Sequence, residues 1–403
     1  MTLDKKYAFL FLVGVPYLAG LIPETKVGPL TIHGERLFML IFAALFFLKL
    51  INKRFVIKIS KVTIWLLAFN LYSFLNRVVQ DTLKLPEVIE YSLPILFLLY
   101  IDNLEFEKKD HQAFTKMLTI VAIGTFIASA IQLFIDPFFY SGGTPEAIEH
   151  IKHYKVADGI YRNNSLYRGI GANEGAIAMG YLSVYFLFLN FHEYKKKYLI
   201  LTGILFFSVF VIFAKYCWLM FLIGLFYFLF FKYPKSRITL FILGFCLLFV
   251  IYFIVGDMLV QSSVYQNRVA ADTYVGRTES TGIFFERFFM RKPIFGFGVS
   301  SWEFPEYLKL YYIGIHVGHF DILFKGGTIG IILLFGFLYQ IYRKGSIIKR
   351  KTGNPIFHVF VINYIIINAT AVFIPISYYG YHFMLFYLVL YYKIYIVQDE
   401  KPD

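Results

Sequence analysis

The sequence predicts an all-α, polytopic integral membrane protein with about 12 transmembrane helices and two long loops on its outer face. Three observations predict this fold class. Of the 403 residues, 58% are hydrophobic and only 16% are charged, so the chain is more apolar than soluble globular domains. Apolar stretches close to the ~20 residues that a helix needs to cross a bilayer recur along the chain. The basic residues fall in short clusters between these stretches.

The apolar stretches predict twelve spans in one transmembrane domain that covers residues 1–403. The fourth span is the least regular, because it contains Glu87, Glu90 and Pro94. The seventh and eighth spans are divided only at Lys215. The predicted spans are residues 7–22, 36–51, 62–80, 85–101, 114–135, 170–191, 197–214, 216–231, 238–256, 320–342, 355–374 and 378–397.

Basic residues alternate between the connections, and this alternation predicts the orientation. Every second connection carries a cluster: Lys5/Lys6, Lys49/Lys53/Arg54/Lys58/Lys61, Lys108/Lys109/Lys116, Lys195/Lys196/Lys197, Lys232/Lys235/Arg237 and Arg343/Lys344/Lys349/Arg350/Lys351. The opposite short connections carry single cations only: Lys26, Arg36, Arg77, Lys84 and Lys215. By the positive-inside rule, both termini are cytoplasmic. The two long loops, residues 136–168 and 257–319, then lie outside.

The long loops contain cations that suit a phosphate ligand. The guanidinium fork of arginine matches phosphate oxygens and stays charged at any relevant pH. Arg168, Arg268 and Arg277 indicate a diphosphate site at the membrane surface, with Arg162 and Lys215 on the same face. Three further cations follow an amphipathic run and are typical of contacts with lipid head groups: Arg287, Arg291 and Lys292.

Two histidines at the end of the second loop are candidates for a general base. His316 and His319 share one face if this stretch is helical, and Asp321 follows closely as an orienting group. An imidazole is mostly neutral at pH 7 and can accept a hydroxyl proton. Glu279 and Glu174 are alternative carboxylate bases. A glycine-softened helix start with interfacial histidines is an equally good interpretation of the pattern.

Several common chemistries have no motif in this sequence. The chain has no GxxxxGK[ST] loop for nucleotide phosphates, and neither HExxH nor CxxC for a transition metal. The two cysteines, Cys217 and Cys246, both lie within apolar spans. We therefore expect no metal and no cofactor. The net charge of +13 does not indicate nucleic acid, because the basic residues lie between membrane spans.

Four short stretches, in this order, resemble the bacterial O-antigen polymerase family within the O-antigen polymerase and ligase superfamily. Residues 168–173 look like its Arg-x-x-Gly stretch. Ala214-Lys215 lies where the family usually has Ser-Arg, so Lys215 keeps the positive charge of that arginine. Residues 276–298 are similar to its Gly-Arg followed by Asn-Pro-x-x-Gly-x-Gly, with Lys292 in place of Asn. Residues 319–330 look like its His-Asn-x-x-Leu and Gly-x-x-Gly, with Phe320 in place of Asn. A second alignment puts His316 at the histidine.

The resemblance, which covers about residues 160–340, implies a glycosyltransferase of the bacterial inner membrane. Such enzymes polymerise oligosaccharide repeat units linked to undecaprenyl diphosphate into O-antigen or capsule-like polysaccharide on the outer face, without a metal. Arg277 and Arg168 would bind the diphosphate, supported by Arg268, Arg162 and Lys215. The implied catalytic groups are Arg277 and either His319 or His316.

Two alternative functions stay open. The chain could be a ligase that transfers glycan to lipid A-core, because ligases share these motifs. It could also be a polysaccharide flippase or another transporter. The expected partners are the lipid-linked glycan substrates, membrane lipids, a chain-length regulator and a flippase, and no nucleic acid is expected.

Overall fold

A computed structural model describes the helical body and part of the loops. The described residues are 3–13, 25–27, 30–32, 41–45, 47–48, 51, 58–83, 85–139, 155–157, 160–161, 172–193, 195–211, 215–239, 242, 279–311, 314–315, 317–370 and 379–397.

The described chain is predominantly helical, as predicted. The helices are α1 (Leu3–Val13), α2 (Lys61–Val79), α3 (Leu85–Asp102), α4 (Lys108–Phe134), α5 (Ala172–Glu193), α6 (Lys196–Val211), α7 (Lys215–Lys232), α8 (Pro305–Tyr311), α9 (Gly318–Thr352), α10 (Ile356–Thr370) and α11 (Tyr379–Tyr392). Single turns of 3-10 or π helix lie at Pro234–Ser236, Phe284–Phe288, Phe289–Arg291 and Lys393–Val397. The sequence did not predict two short antiparallel hairpins: β1 (Thr25–Val27) with β2 (Leu30–Ile32), and β3 (Lys155–Ala157) with β4 (Ile160–Tyr161).

Among the described residues, three helices are long and apolar enough to cross a membrane: α2, α4 and α9. Shorter apolar helices lie at Ile177–Phe191, Cys217–Lys232, Ile356–Ala369 and Met384–Val397. The outward face of α2 is an apolar stripe of exposed side chains three or four residues apart: Ile64, Leu67, Leu71, Leu75 and Val78. Such a stripe suits lipid better than water. These features indicate a membrane protein, and the number of twelve spans stays a prediction.

Helix α5 lies at the centre of the bundle. Every residue from 177 to 190 is buried, as expected for a helix that is hydrophobic on all sides. It packs against α6, α7 and α11. The Tyr185 and Tyr387 rings meet edge to face, with centroids 4.6 Å apart, and join α5 to α11. Helix α2 packs on α9 at the side of the bundle, and this pair supports the candidate site.

Several basic clusters meet at one end of the bundle, which we call the lysine end. Lys5 Nζ of α1 lies 2.6 Å from Asp110 Oδ2 of α4, and both side chains are buried. Thr63 at the start of α2 donates a hydrogen bond of 2.7 Å to Asp102 at the end of α3. Lys393 Nζ donates to the backbone carbonyl of Asp102 at 2.5 Å. The end of α9 joins them, since Lys351 donates to the carbonyl of Ile396 at 3.4 Å.

Helix α9 is longer than predicted. The predicted span ended at residue 342, where the first basic residue follows, but the helix continues to Thr352. Lys349, Arg350 and Lys351 lie in its last turn, where cations interact favourably with the helix dipole. Gly353 ends the helix in the left-handed conformation with φ 74°. The helix therefore extends beyond the predicted span at this end.

The second long loop is not irregular throughout. Within the predicted range 257–319, residues 279–291 form successive helical turns and α8 follows at Pro305–Tyr311. Phe284, Phe288 and Tyr307 from these elements form a small hydrophobic cluster with Phe324 of α9. This cluster attaches the loop to the start of α9.

Candidate functional site

Helix α9 is interrupted at Gly327. This residue has φ 59° and ψ −162°, which no residue inside an α-helix adopts. The interruption lies about one-quarter of the way along the helix and frees backbone groups on both sides of it. Because a bilayer offers no water to pair with such groups, another part of the protein must do so.

The loop of residues 292–298 pairs with the backbone groups freed in α9. The N–H groups of Phe297 and Gly298 donate to the carbonyls of Phe324 and Lys325, at 2.8 and 2.9 Å. In the opposite direction, the N–H groups of Thr328 and Ile329 donate to the carbonyls of Pro293 and Ile294, at 2.9 and 3.3 Å. The 292–298 loop therefore takes the place of the missing helical hydrogen bonds.

Two glycines make this close approach possible. Gly296 has φ 67°, and a Cβ there would lie 2.5 Å from the carbonyl oxygen of Phe324. A Cβ on Gly327 would overlap the carbonyl oxygen of Ile294. Both clashes are with backbone, which cannot move aside as a side chain can. Only glycine fits at either position, since positive φ is also unfavourable for other residues.

A polar face of α2 holds the same region from the other side. Tyr72, Asn76 and Gln80 are spaced four residues apart and therefore share one helix face. All three donate to backbone carbonyls of the loop or of α9: Tyr72 to Gly326 (2.6 Å), Asn76 to Phe295 and Lys325 (2.7 and 3.0 Å), and Gln80 to Gly296 (3.3 Å). We did not single out these residues from the sequence. Polar residues at regular spacing in an apolar span were the available signal.

A buried ion pair lies one residue along α2 from Asn76. Arg77 donates to both carboxylate oxygens of Glu303, at 3.3 and 3.1 Å. The Arg77 side chain is 2% exposed and that of Glu303 is 30% exposed. Arg77 also donates to the carbonyl of Thr82 at 3.3 Å. From the sequence, Arg77 was predicted only to be a cation in a short outer connection. Its pairing with Glu303 was not predicted.

Asp321 fixes the turn that precedes α8. Its carboxylate accepts hydrogen bonds from the Ser300 hydroxyl (2.8 Å) and from the Ser301 hydroxyl and N–H (2.6 and 2.8 Å). The Ser301 hydroxyl in turn accepts from the N–H of Ile315 at 2.8 Å. The sequence suggested that Asp321 orients the His319 ring, whereas the hydrogen bonds of its carboxylate go to Ser300 and Ser301. The role of Asp321 as a base or orienting group stays a prediction.

His319 lies in the first turn of α9 with its ring partly buried. Its Nε2 lies 2.9 Å from the carbonyl oxygen of Ile365 in α10. A carbonyl only accepts hydrogen bonds, so this contact places a proton on Nε2. Within the described part of the chain, Nδ1 is buried without a hydrogen-bond partner. A neutral ring in this tautomer presents Nδ1 as its basic nitrogen.

A pocket of about 380 Å³ opens between the end of α2 and the second loop. Lys292 Nζ at its edge donates to Gln80 Oε1 at 2.5 Å and lies 5.4 Å from the centroid of Phe297. Its lining combines aromatic, polar and charged side chains: Gln80, Thr82, Lys292, Phe297, Val299, Glu303, Phe304 and Pro305. Among the described residues, no three His, Cys, Asp or Glu side chains form a group that could hold a metal ion.

The three cations predicted to contact lipid head groups, Arg287, Arg291 and Lys292, differ in their surroundings. Arg287 is exposed, as expected for an interfacial residue. Arg291 is also exposed, and lies 3.8 Å from a carboxylate oxygen of Glu306. Lys292 differs from both because it contacts Gln80 and lines the pocket.

The predicted diphosphate site lies mostly outside the described residues. Lys215 is the first residue of α7 and Glu174 the third of α5, and only their backbone is described. Glu279 is exposed at the start of the helical turns. Their predicted roles in binding and proton transfer stay predictions. Outside the described ranges lie Arg162, Arg168, Arg268, Arg277 and His316.

Comparisons with known proteins give no family for this chain: no family model and no curated protein matches it. The resemblance to O-antigen polymerases therefore rests on the stretches at residues 168–173, 276–298 and 319–330 and on their order. Two of these stretches meet in the structure, through the 292–298 loop and the interruption of α9.

Proposed function

We propose that this protein is a glycosyltransferase that polymerises oligosaccharide repeat units linked to undecaprenyl diphosphate. The growing glycan would be moved from its lipid diphosphate to the sugar end of another lipid-linked unit. The product would be an O-antigen or capsule-like polysaccharide at the outer face of a bacterial inner membrane.

The contact between the 292–298 loop and α9 carries this proposal. Both stretches belong to the resemblance, and their glycines have a structural reason. Gly296 and Gly327 stand at glycine positions of the two motifs, and each allows the backbone of the other stretch to approach. Two similarities that are weak when taken separately therefore describe one packed unit. This supports reading the motifs together rather than as chance matches.

The reaction needs no nucleotide, because a glycosyl diphosphate is already activated. The bond between the sugar and the diphosphate oxygen breaks while the acceptor hydroxyl forms the new glycosidic bond. Arg277 and Arg168 would stabilise the charge that builds on the departing diphosphate, supported by Arg268, Arg162 and Lys215. This site stays a prediction from the resemblance.

The hydroxyl proton requires a base, and we assign this role to His319, whose Nδ1 is buried in this structure and would have to become accessible to the substrate. The Nε2 contact with Ile365 fixes the tautomer in which Nδ1 can accept a proton. His316 is the alternative from the sequence, and Glu279 and Glu174 are alternative carboxylates. General-base assistance of this kind contributes about 10²–10⁴-fold to a rate.

The position of the site supports an outer-face reaction. Helix α2 starts at the lysine end, where Thr63 contacts Asp102. It ends at the pocket, because Gln80, the residue after its last residue Val79, lines the pocket. Its 19 residues span about 28 Å, close to the thickness of the bilayer core. If the lysine end is cytoplasmic, as the positive-inside rule predicts, the pocket and the start of α9 face outward.

An interrupted helix is also typical of transporters, in which freed backbone groups bind ions or substrate. In this protein the carbonyls of Phe324, Lys325 and Gly326 accept hydrogen bonds from the 292–298 loop or from α2. A break that is filled by the protein's own groups favours a fixed scaffold over a transport site. The ligase alternative shares the motifs and is separated by experiment.

Deletion of the gene in its host tests the proposal. A polymerase-deficient strain should display surface glycan limited to a single repeat unit. Loss of all glycan, including that first unit, would indicate a ligase or flippase instead. Complementation with Arg277→Ala should fail at normal protein levels, and Arg277→Lys should be poor because the bidentate fork is lost. Arg287→Ala is the matched control and should restore polymer.

A further inference from the structure

The pocket has a rigid aromatic wall. The rings of Phe297 and Phe304 both line it, with centroids 5.2 Å apart and planes tilted by 53°. Behind them lies Phe324 of α9, 4.7 Å from Phe297 and 5.4 Å from Phe304. Because these rings pack on one another, the wall keeps its shape without a ligand. An aromatic face carries partial negative charge and attracts C–H groups that are polarised positive.

The rest of the lining includes polar side chains and a carboxylate. Glu303 is held in place by the two hydrogen bonds from Arg77, while about 30% of its side chain remains exposed. The exposed part of this carboxylate can accept hydrogen bonds from hydroxyl groups. Gln80 and Thr82 add amide and hydroxyl groups at the same rim. The pocket thus combines aromatic faces with hydrogen-bonding groups.

We propose that this pocket binds a sugar ring of the acceptor glycan. A pyranose has a face of C–H groups and a rim of hydroxyls, which match the Phe297–Phe304 wall and the Glu303 carboxylate. The volume of about 380 Å³ lies in the ~300–1,000 Å³ range of small-molecule pockets.

The charges of the pocket disfavour the diphosphate part of the substrate. The Glu303 carboxylate would lie close to a phosphate bound here, and Lys292, which also donates to Gln80 at 2.5 Å, is a single lining cation against the several negative charges of a diphosphate. The ring that binds here is therefore remote from its own diphosphate. In a lipid-linked repeat unit, that is the end whose hydroxyl accepts the growing chain. The assignment to the acceptor rests on the proposed function, whereas the assignment to a sugar rests on the lining alone.

Binding of an oligosaccharide tests the pocket without requiring catalysis. The probe is the repeat-unit oligosaccharide released by mild acid from the host's lipid-linked units, titrated calorimetrically into the full-length protein in nanodiscs. Phe304→Leu keeps an apolar side chain but removes the aromatic face, and Glu303→Gln removes the charge. Each should weaken binding about tenfold or more, since hydrogen bonds to charged groups and aromatic contacts are of this size.

Two matched controls separate binding from general damage to the loop. Glu306→Gln changes the neighbouring exposed glutamate, which contacts Arg291 and does not line the pocket. Phe285→Leu changes an exposed aromatic residue that contacts Phe284 and Phe320 and does not line the pocket. Both should bind the oligosaccharide like the unmodified protein. If Glu303→Gln fails to fold because Arg77 loses its carboxylate partner, Phe304→Leu still decides the outcome.

The pocket proposal and the proposed function fail in different ways. Unchanged oligosaccharide affinity in Phe304→Leu, or no binding by the unmodified protein, would overturn the sugar pocket. Competition by inorganic pyrophosphate, with affinity lost in Lys292→Met, would also overturn it in favour of a phosphate site. Normal polymer in the deletion strain would overturn the proposed function, while leaving the measured oligosaccharide affinity as it stands.

Discussion

The two ends of the bundle use polar residues in different ways. At the lysine end, charged side chains join regular helix ends: Lys393 binds the carbonyl at the end of α3, and Lys5 pairs with Asp110. At the other end, polar side chains of α2 hold an irregular backbone, in which the 292–298 loop enters the interruption of α9. The first arrangement closes the helix ends, whereas the second leaves a pocket beside a fixed scaffold. Chemistry is therefore expected only at the second end.

Reporter fusions test the most basic difference between the ends, which is the side of the membrane. Fusions after Lys53, Lys196 and Arg350 should report cytoplasm, because these basic residues belong to clusters on the predicted inner side. Fusions near Lys155 and Asp272 should report the outside. Each fusion is made once with a phosphatase that is active outside the cytoplasm and once with a fluorescent protein that is fluorescent in the cytoplasm, and both signals are measured. An outside signal at Lys196 would invert the predicted positions of the later loops.

Histidine replacement compares the chemistry at the two ends. His319→Gln should reduce polymerisation by about 10²–10⁴-fold, because the proposed base is lost. His358→Gln is the control: His358 contacts Ser346 at 2.9 Å in the part of α9 near the lysine end. It should keep most activity per folded protein. The measurement is polymer formed from lipid-linked repeat units by purified variants. Near-normal polymer from His319→Gln, alongside a dead Glu279→Ala variant, would assign the base to the carboxylate.

Each end also contains a buried ion pair, and breaking either should lower stability. Arg77→Met removes both hydrogen bonds from Arg77 to Glu303, and Lys5→Met removes the ammonium that pairs with Asp110. Loss of one partner of a buried pair costs about 3–5 kcal/mol, which we expect for Lys5→Met; Arg77→Met should cost less, because the Glu303 side chain is 30% exposed. Thermal unfolding of detergent-solubilised protein should show both losses. Only Arg77→Met should also change oligosaccharide affinity per folded molecule, and an equal effect of Lys5→Met would contradict the division between the ends.

Glycine replacement gives the smallest expected difference. Gly327→Ala should cost about 3 kcal/mol or more, because positive φ is combined with a clash against the Ile294 carbonyl. Gly353→Ala also has positive φ, but a Cβ there meets nothing within 4 Å, so it should cost about 1 kcal/mol. Melting temperatures of the two variants measure the difference. Equal temperatures would mean that the loop does not enter the break in α9 as described.

The sequence predicted those helices whose boundaries follow hydropathy. The predicted span 62–80 corresponds to α2 at Lys61–Val79, and 85–101 corresponds to α3 at Leu85–Asp102. Helix α4 starts six residues before its predicted span at residue 114, with Lys108. Its first turn is charged and is fixed by a capping box of Glu107 and Asp110, which a search for apolar stretches does not detect.

The candidate site was less predictable, because distant parts of the chain build it. The glycines of the 292–298 loop and of α9 were recognised in the sequence as motif residues. The sequence did not show that they allow the backbone of the loop to enter the interruption of α9. Arg77 and Glu303 are 226 positions apart, and neither pattern nor spacing links them. The polar spacing of Tyr72, Asn76 and Gln80 was visible in the sequence. Its meaning required the carbonyls that these side chains bind.

Reconstitution of the purified protein with lipid-linked repeat units tests the central proposal most directly. Proteoliposomes that contain only this protein and undecaprenyl diphosphate-linked units should form a ladder of longer lipid-linked glycans, without nucleotide. His319→Gln protein, folded to the same extent, should leave the units unextended. Substrate that stays monomeric with the unmodified, folded protein, or a ladder of equal length with the variant, would contradict the account.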